Sequence, residues 1–470
     1  MKAKTLAALT ATVTLAACTS GRYDSPAPLP GRVTESAASS AGAHEAKREP
    51  SGDLATTAES PAAPAVASPR AAARAAAADG RERADNGSSP SPELWRGQGA
   101  ASIAAGEWDD NANYREFQKY LGTVSEPIRP VDVRSRRFLV VRDAAGKSVP
   151  RCPVTVTDEA QHSVTLTTTA AGRAILFPRG EGLVGRDFVA RADCAEDRVT
   201  ARFSLNDDGD AAVDLRLARA RQLSAVRPVD LAFVLDTTGS MSEEIASVKA
   251  TIQKVAATLS VGEVRVRIGL VEYKDRGDAF VTKVYPMSAD LAAVSRDVGG
   301  IVASGGGDLP ENMSAGLHVA LRDLEWSPQA VTRAAFIIGD APPHLDYPNE
   351  ADYSVDMKQA AHRGIQLFTV AASGMDALGQ AVWRQMSAYT GGTNLFVLRG
   401  GAGPQSVGGG DPASSCGGTQ TNYASGNLDA LIVSKIKREL RSIDADPMRI
   451  PGLITDENAR PCDQRVTFLQ

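Results

Sequence analysis

The chain has 470 residues, 51 Lys and Arg against 56 Asp and Glu, a formal charge of −5, and a hydrophobic fraction of 43%. So mild a negative balance gives no basis for nucleic-acid binding. Outside the first 17 residues, no segment is long and apolar enough to span a bilayer.

In chain order, residues 1–17 read as an export signal: Met1–Lys4 is short and basic, and Leu6–Ala17 is apolar but too short to span. The signal ends Leu15-Ala16-Ala17-Cys18, which resembles a bacterial lipobox. The resemblance implies cleavage before Cys18, lipidation at Cys18, and a cell-envelope lipoprotein held to the membrane only by that anchor. Thr19 and Ser20 follow, with no Asp at the second mature position, which by resemblance to Gram-negative sorting rules favours the outer membrane. Residues 18–92 are rich in Ala, Pro, Ser and Arg and poor in bulky apolar residues, so they read as a disordered tether.

Residues 93–130 form a leader in which aromatic residues return. Tyr114, Phe117 and Leu121 fall at helical spacing, predicting a short helix docked on a later domain. Residues 131–220 contain seven short runs of period-two alternation, RFLVV, PVTV, HSVTLT, RAILF, DFVAR, VTARFSL and AAVDLRL, separated by turn signals. This is the pattern of a small all-β sandwich, similar to Ig-like or transthyretin-like modules. Setting Cys18 aside leaves Cys152, Cys194, Cys416 and Cys462, which in an oxidising compartment read as disulfides. Three connectivities are open. Cys152–Cys194 and Cys416–Cys462 are favoured because each pair falls within one structural unit.

Residues 228–445 switch to strand–helix alternation. Strands are predicted at 230–235, 265–272, 281–285, 334–338, 366–371 and 394–398, and helices at 242–259, 291–301, 311–324, 353–363, 377–389 and 427–443. Continuous apolar strands between amphipathic helices imply an α/β fold with a doubly wound, mostly parallel sheet covered on both faces. The strand at 281–285 follows its predecessor too closely for a helical crossover and is expected to be an antiparallel edge. A Gly/Ser-rich insertion, 400–426, reads as a long surface loop, and 446–470 is a C-terminal tail.

Residues 231–242, LAFVLDTTGSMS, end a buried strand and place Asp236, Thr238 and Ser240 at alternate positions on its C-terminal lip. Such lips are where open α/β sheets bind ligands, and carboxylate and hydroxyl oxygens suit a hard divalent cation. D-x-T-x-S alone also fits a helix N-cap. Two further segments tip the balance: SGGGDLPENMSAGLHVAL, with Asp308, and AAFIIGDAPPH, with Asp340. Together, in this order and spacing, the three resemble the metal-ion-dependent adhesion site of a von Willebrand factor type A (VWA) domain. GEWDDNANYREF likewise resembles a leader found in exported bacterial proteins of that kind.

The resemblance implies a site built from Asp236, Thr238, Ser240, Asp308 and Asp340, with Mg²⁺ the expected occupant and Mn²⁺ or Ca²⁺ the alternatives. It also implies a protein partner, engaged in the family through an acidic side chain. Here Asp308 replaces the Thr of the better-known receptors, so three carboxylates surround a +2 ion, which strengthens metal binding and weakens attraction for an acidic ligand. Asp308 also reads as a cap for the following helix. No G-x-S-x-G, H-E-x-x-H or P-loop occurs. The expectation is therefore a binding protein of adhesion or envelope assembly and not an enzyme; the rivals are a metal-dependent hydrolase and a structural subunit with a fold-stabilising metal.

Overall fold

The computed structural model describes residues 103–195, 197–206, 209–259, 262–307, 309–397, 424–450 and 453. The chain enters with strand β1 (Ala104–Trp108) and helix α1 (Tyr114–Thr123). Seven strands follow, one at each alternating run: β2 (Arg137–Arg142), β3 (Pro153–Thr157), β4 (Ser163–Thr167), β5 (Arg173–Leu176), β6 (Asp187–Cys194), β7 (Asp197–Ser204) and β8 (Ala211–Arg216). They form a three-stranded sheet, β5-β2-β8, facing a four-stranded sheet, β4-β3-β6-β7. Alternation gives β3, β4, β5 and β6 one buried face each; in β6, Phe188, Ala190, Ala192 and Cys194 point inward. A Cys152–Cys194 disulfide joins the start of β3 to the end of β6, with a Cα–Cα distance of 4.9 Å. Cys18, Cys416 and Cys462 lie outside the described residues.

The second part contains β9 (Arg227–Asp236), α2 (Ile245–Leu259), β10 (Val264–Tyr273), β11 (Thr282–Ser288), α3 (Leu291–Gly300), α4 (Met313–Arg322) and β12 (Thr332–Gly339). It continues with α5 (Tyr353–His362), β13 (Gln366–Ala371), α6 (Ala377–Thr390), β14 (Asn394–Val397), β15 (Ala424–Asn427) and α7 (Leu428–Ser442). The sheet order is β11-β10-β9-β12-β13-β14-β1-β15. The five strands from β10 to β14 in that order are parallel, and β11 pairs antiparallel with β10 at one edge.

Both faces of β9 are covered. Leu231, Phe233 and Leu235 pack with α2, α3 and α7, while Ala232 and Val234 belong to the cluster containing α4, α5 and α6. Phe233, Phe336 and Phe368 stack across three adjacent strands, with centroids 5.5 and 5.0 Å apart. The α4–α6 cluster runs on without interruption into the sandwich interior, through Phe177, Leu176 and Val154.

The leader departs from its sequence reading. Residues 104–108 are a strand of the main sheet, pairing antiparallel with β14 on one side and β15 on the other. Only the segment after it is the docked helix. The bound end of the Gly/Ser-rich insertion is also strand, at β15. Arg384 of α6 is buried and holds Asp110 in a two-point ion pair at 2.9 and 2.6 Å. Its guanidinium lies over the rings of Trp108, Phe117 and Tyr120. Lys435 of α7 pairs with Glu107, both side chains buried.

Candidate metal centre

β9 delivers Asp236, fully buried, to the C-terminal lip of the parallel sheet. The backbone then turns through a 3-10 segment, Gly239–Ser242, before α2, so the helix begins three residues later than the periodicity implies. Thr238 precedes this turn but its side chain does not cap it. Instead, Thr238 donates through its hydroxyl and its backbone N–H to Asp236 Oδ1, at 2.7 and 2.9 Å. Thr238 Oγ1 lies 3.1 Å from Ser240 Oγ, and Ser240 donates to Asp340 Oδ1 at 3.0 Å. Asp340 follows β12, the strand adjacent to β9. Four of the five residues singled out in sequence therefore meet as a chain of hard oxygens on one lip. Asp308 lies outside the described residues. The capping role it was given belongs to Asn312, whose side chain accepts from Ala315 N at 3.1 Å, because α4 begins only at Met313.

The Gly-rich segment before α4 is stitched to the D-x-T-x-S turn by its backbone. Ser304 N donates to Thr237 O at 3.0 Å, and Gly239 N donates to Gly305 O at 2.8 Å. Gly305 and Gly306 have φ of +75° and +67°, a region costly for residues with a Cβ. A Cβ on Gly305 would also strike the Asp278 carboxylate, and one on Gly306 would lie 2.9 Å from Glu311 Oε1 and 3.0 Å from Thr238 Cβ. Lys274, buried, donates to both Thr237 O and Ser304 O and so ties the two loops together.

Glu311 was missed in the sequence. It is 2% exposed, its Oε2 has no hydrogen-bond partner, and it stands beside Thr238. Burial, with the charges of Asp236 and Asp275 added, pushes its carboxyl up to about 8. Burial also pushes Asp236 up to about 7, against the two bonds from Thr238 and with the charge of Asp340 reinforcing the rise. Asp340 is raised by burial as well. Buried carboxylates that resist ionisation, with Glu311 Oε2 left without a hydrogen bond, are a state that a cation relieves.

The donors fit a hard divalent ion: two carboxylates and two hydroxyls, with Glu311 close by. Among the described residues, no group of three or more His, Cys, Asp or Glu side chains forms a metal cage by itself.

The neighbouring groups have structural partners. His344 is stacked on Tyr347 at 3.7 Å and bonds Asp346 Oδ1 at 2.7 Å, while Tyr347 donates to Asp275 at 2.7 Å. In the Arg-Gly-Asp tripeptide 276–278, Arg276 pairs with Glu350 and stacks on Tyr347, and Asp278 accepts from Gly306 N at 3.0 Å. The tripeptide is part of the loop scaffold.

Residues 230–398 match the von Willebrand factor type A domain. Two curated proteins are similar to part of the chain. Alpha-protein kinase vwkA of Dictyostelium discoideum is 31% identical over 136 residues, which make up 28% of this chain and 21% of that protein. An ariadne-like RING finger protein of Acanthamoeba polyphaga mimivirus is 32% identical over 118 residues, 25% of this chain and 11% of that protein. The chain thus spans well under a third of either relative. Among solved structures, proximal thread matrix protein 1 of the mussel byssus, in a form with a zinc-occupied MIDAS motif, matches at 11% identity and a TM-score of 0.29, covering 36% of this chain and 41% of that one.

Proposed function

We propose that the VWA domain is a cation-dependent protein-binding module, carried at the cell envelope by a lipid on Cys18, and that it is not an enzyme. The observation that carries the binding role is the continuous chain Asp236–Thr238–Ser240–Asp340 on the sheet lip. Asp236, Thr238, Ser240 and Asp340 would hold the ion, Mg²⁺ first with Mn²⁺ or Ca²⁺ as alternatives. When bound, the ion offers a Lewis-acidic position to an oxygen of the partner. The chain's own residues fix the ligands, through the bonds of Thr238 to Asp236 and of Lys274 to the loop carbonyls. If the ion displaces the proton from Glu311, that carboxylate adds negative charge beside it, so attraction for an acidic partner side chain is weaker than two carboxylates alone would leave it.

Crosslinking in intact cells followed by purification of the full chain tests this reading. A partner band is expected with Mg²⁺, and it should vanish both in EDTA and in Ser240→Ala. A band unaffected by EDTA would refute cation dependence. The anchor is separately checked by mass spectrometry of the mature chain, which should carry several acyl groups at Cys18, since one chain gives only marginal membrane binding. An N-terminus without acyl groups ends the lipoprotein reading.

A further inference from the structure

We propose that Tyr273 is a positioning residue for the metal centre, its buried hydroxyl serving as the hydrogen-bond donor to the outer oxygen of Asp236. The inference rests on the cation-site reading above.

Tyr273 ends β10, in parallel register with Asp236 at the end of β9. It is fully buried, with its ring against α4, close enough that a Cβ on Gly316 would lie 2.9 Å from the ring. Neither its hydroxyl nor Asp236 Oδ2 makes a hydrogen bond of full geometry, and Asp236 is the side chain placed to bond the phenol. The two orphans converge on one point. A Cβ on Gly339 would collide with Tyr273 Oη and lie 3.2 Å from Asp236 Oδ2. Gly339 therefore reads as the gap that lets the phenol reach beneath the carboxylate. A phenol O–H donates and an ionised carboxylate only accepts, so the bond between them has one direction.

Two buried polar atoms this close, both unsatisfied, are costly apart and favourable together. Thr238 already occupies Asp236 Oδ1 from the loop side. A donor from below on Oδ2 would fix the carboxylate's rotation and support its charge. Supporting groups of this kind typically change metal affinity by about 10–100-fold.

Tyr273→Phe removes only the hydroxyl. Calorimetric titration of the full chain with Mg²⁺ and with Mn²⁺ should show affinity weakened about 10-fold or more, while the melting temperature in EDTA falls little. A tyrosine ultraviolet difference signal on Mg²⁺ addition should be present in the wild type and lost in Tyr273→Phe. Gly339→Ala, which crowds the same contact, should weaken the metal in the same direction. If Tyr273→Phe binds both ions as tightly as wild type, Tyr273 is packing and the proposal is overturned. If wild type and Ser240→Ala bind Mg²⁺ alike, the cation-site reading itself fails. Loss of binding in Ser240→Ala alone, with Tyr273→Phe unchanged, defeats only the role of Tyr273.

Discussion

Asp236→Asn should abolish Mg²⁺ binding and, in EDTA at about pH 8, raise the melting temperature. The two effects have opposite signs because one carboxylate does both jobs. Asp236 is fully buried, and burial pushes it up to about 7. Ionising it without a cation carries a penalty on the order of several kcal/mol. The amide has the shape of the protonated acid: its oxygen can take the Thr238 bonds and its NH₂ can face Tyr273. Metal affinity should fall by more than about 100-fold, beyond what losing a supporting group causes.

The pH dependence follows with its sign. Between the unfolded value of 3.8 and the folded value of about 7, the folded metal-free chain keeps a proton that the unfolded chain has released. Stability from this group is therefore complete below the lower value and is lost as pH rises through the upper one. A divalent ion competes with that proton. Excess Mg²⁺ should raise the melting temperature strongly at about pH 8 and little at about pH 5. Equal Mg²⁺ stabilisation at the two pH values, or a less stable Asp236→Asn in EDTA, would show that Asp236 is not the buried centre of the site.

The core of the site is legible in the sequence because its ligands sit directly after apolar strands. Period and composition locate β9 and β12, and the residues at their ends then fall on the lip by geometry alone. Glu311 is different. It lies in a loop, DLPEN, with no periodicity, and it is drawn inward by tertiary pairing: its N–H donates to Pro342 O at 3.0 Å, and its carbonyl accepts from His344 N at 3.1 Å. No local pattern encodes that. The sandwich is legible because alternation leaves one inward face on most of its strands, as in β3, β4, β5 and β6. β1 was not, because AAGEW is five residues long with a glycine and no β-branched residue, and its strand character comes from the neighbours it joins. The helix start at Met313 was misplaced because Pro310 and Glu311 look like first-turn residues, while the cap that forms is Asn312.

A fragment beginning at residue 228 and ending at 445 should fail to fold cooperatively, whereas 103–450 should fold. The region matched to the VWA family starts at residue 230, yet its sheet is completed from residues upstream. Removing β1 strips one of the two hydrogen-bonded neighbours from β14, leaving only β13, and separates it from β15. Trp108, fully buried against Phe396 at 5.2 Å, goes with it. Two buried groups then lose their partners: Lys435, whose amine burial pushes well below its usual value, without Glu107, and the Arg384 charge without Asp110 and its aromatic sandwich. Breaking a buried pair by removing one partner costs about 3–5 kcal/mol, so two such losses and a buried Trp rival the 5–15 kcal/mol that holds a typical domain. Loss of the sandwich strands removes the continuation of the α4–α6 cluster as well. Within the full chain, Asp110→Ala isolates one of these terms and should destabilise by about 3–5 kcal/mol, while Asp110→Ala with Arg384→Met should recover much of it. Denaturant unfolding followed by circular dichroism measures all of these. A fragment 228–445 that melts cooperatively and binds Mg²⁺ like the full chain would show that the leader strand is an ornament on a self-sufficient domain.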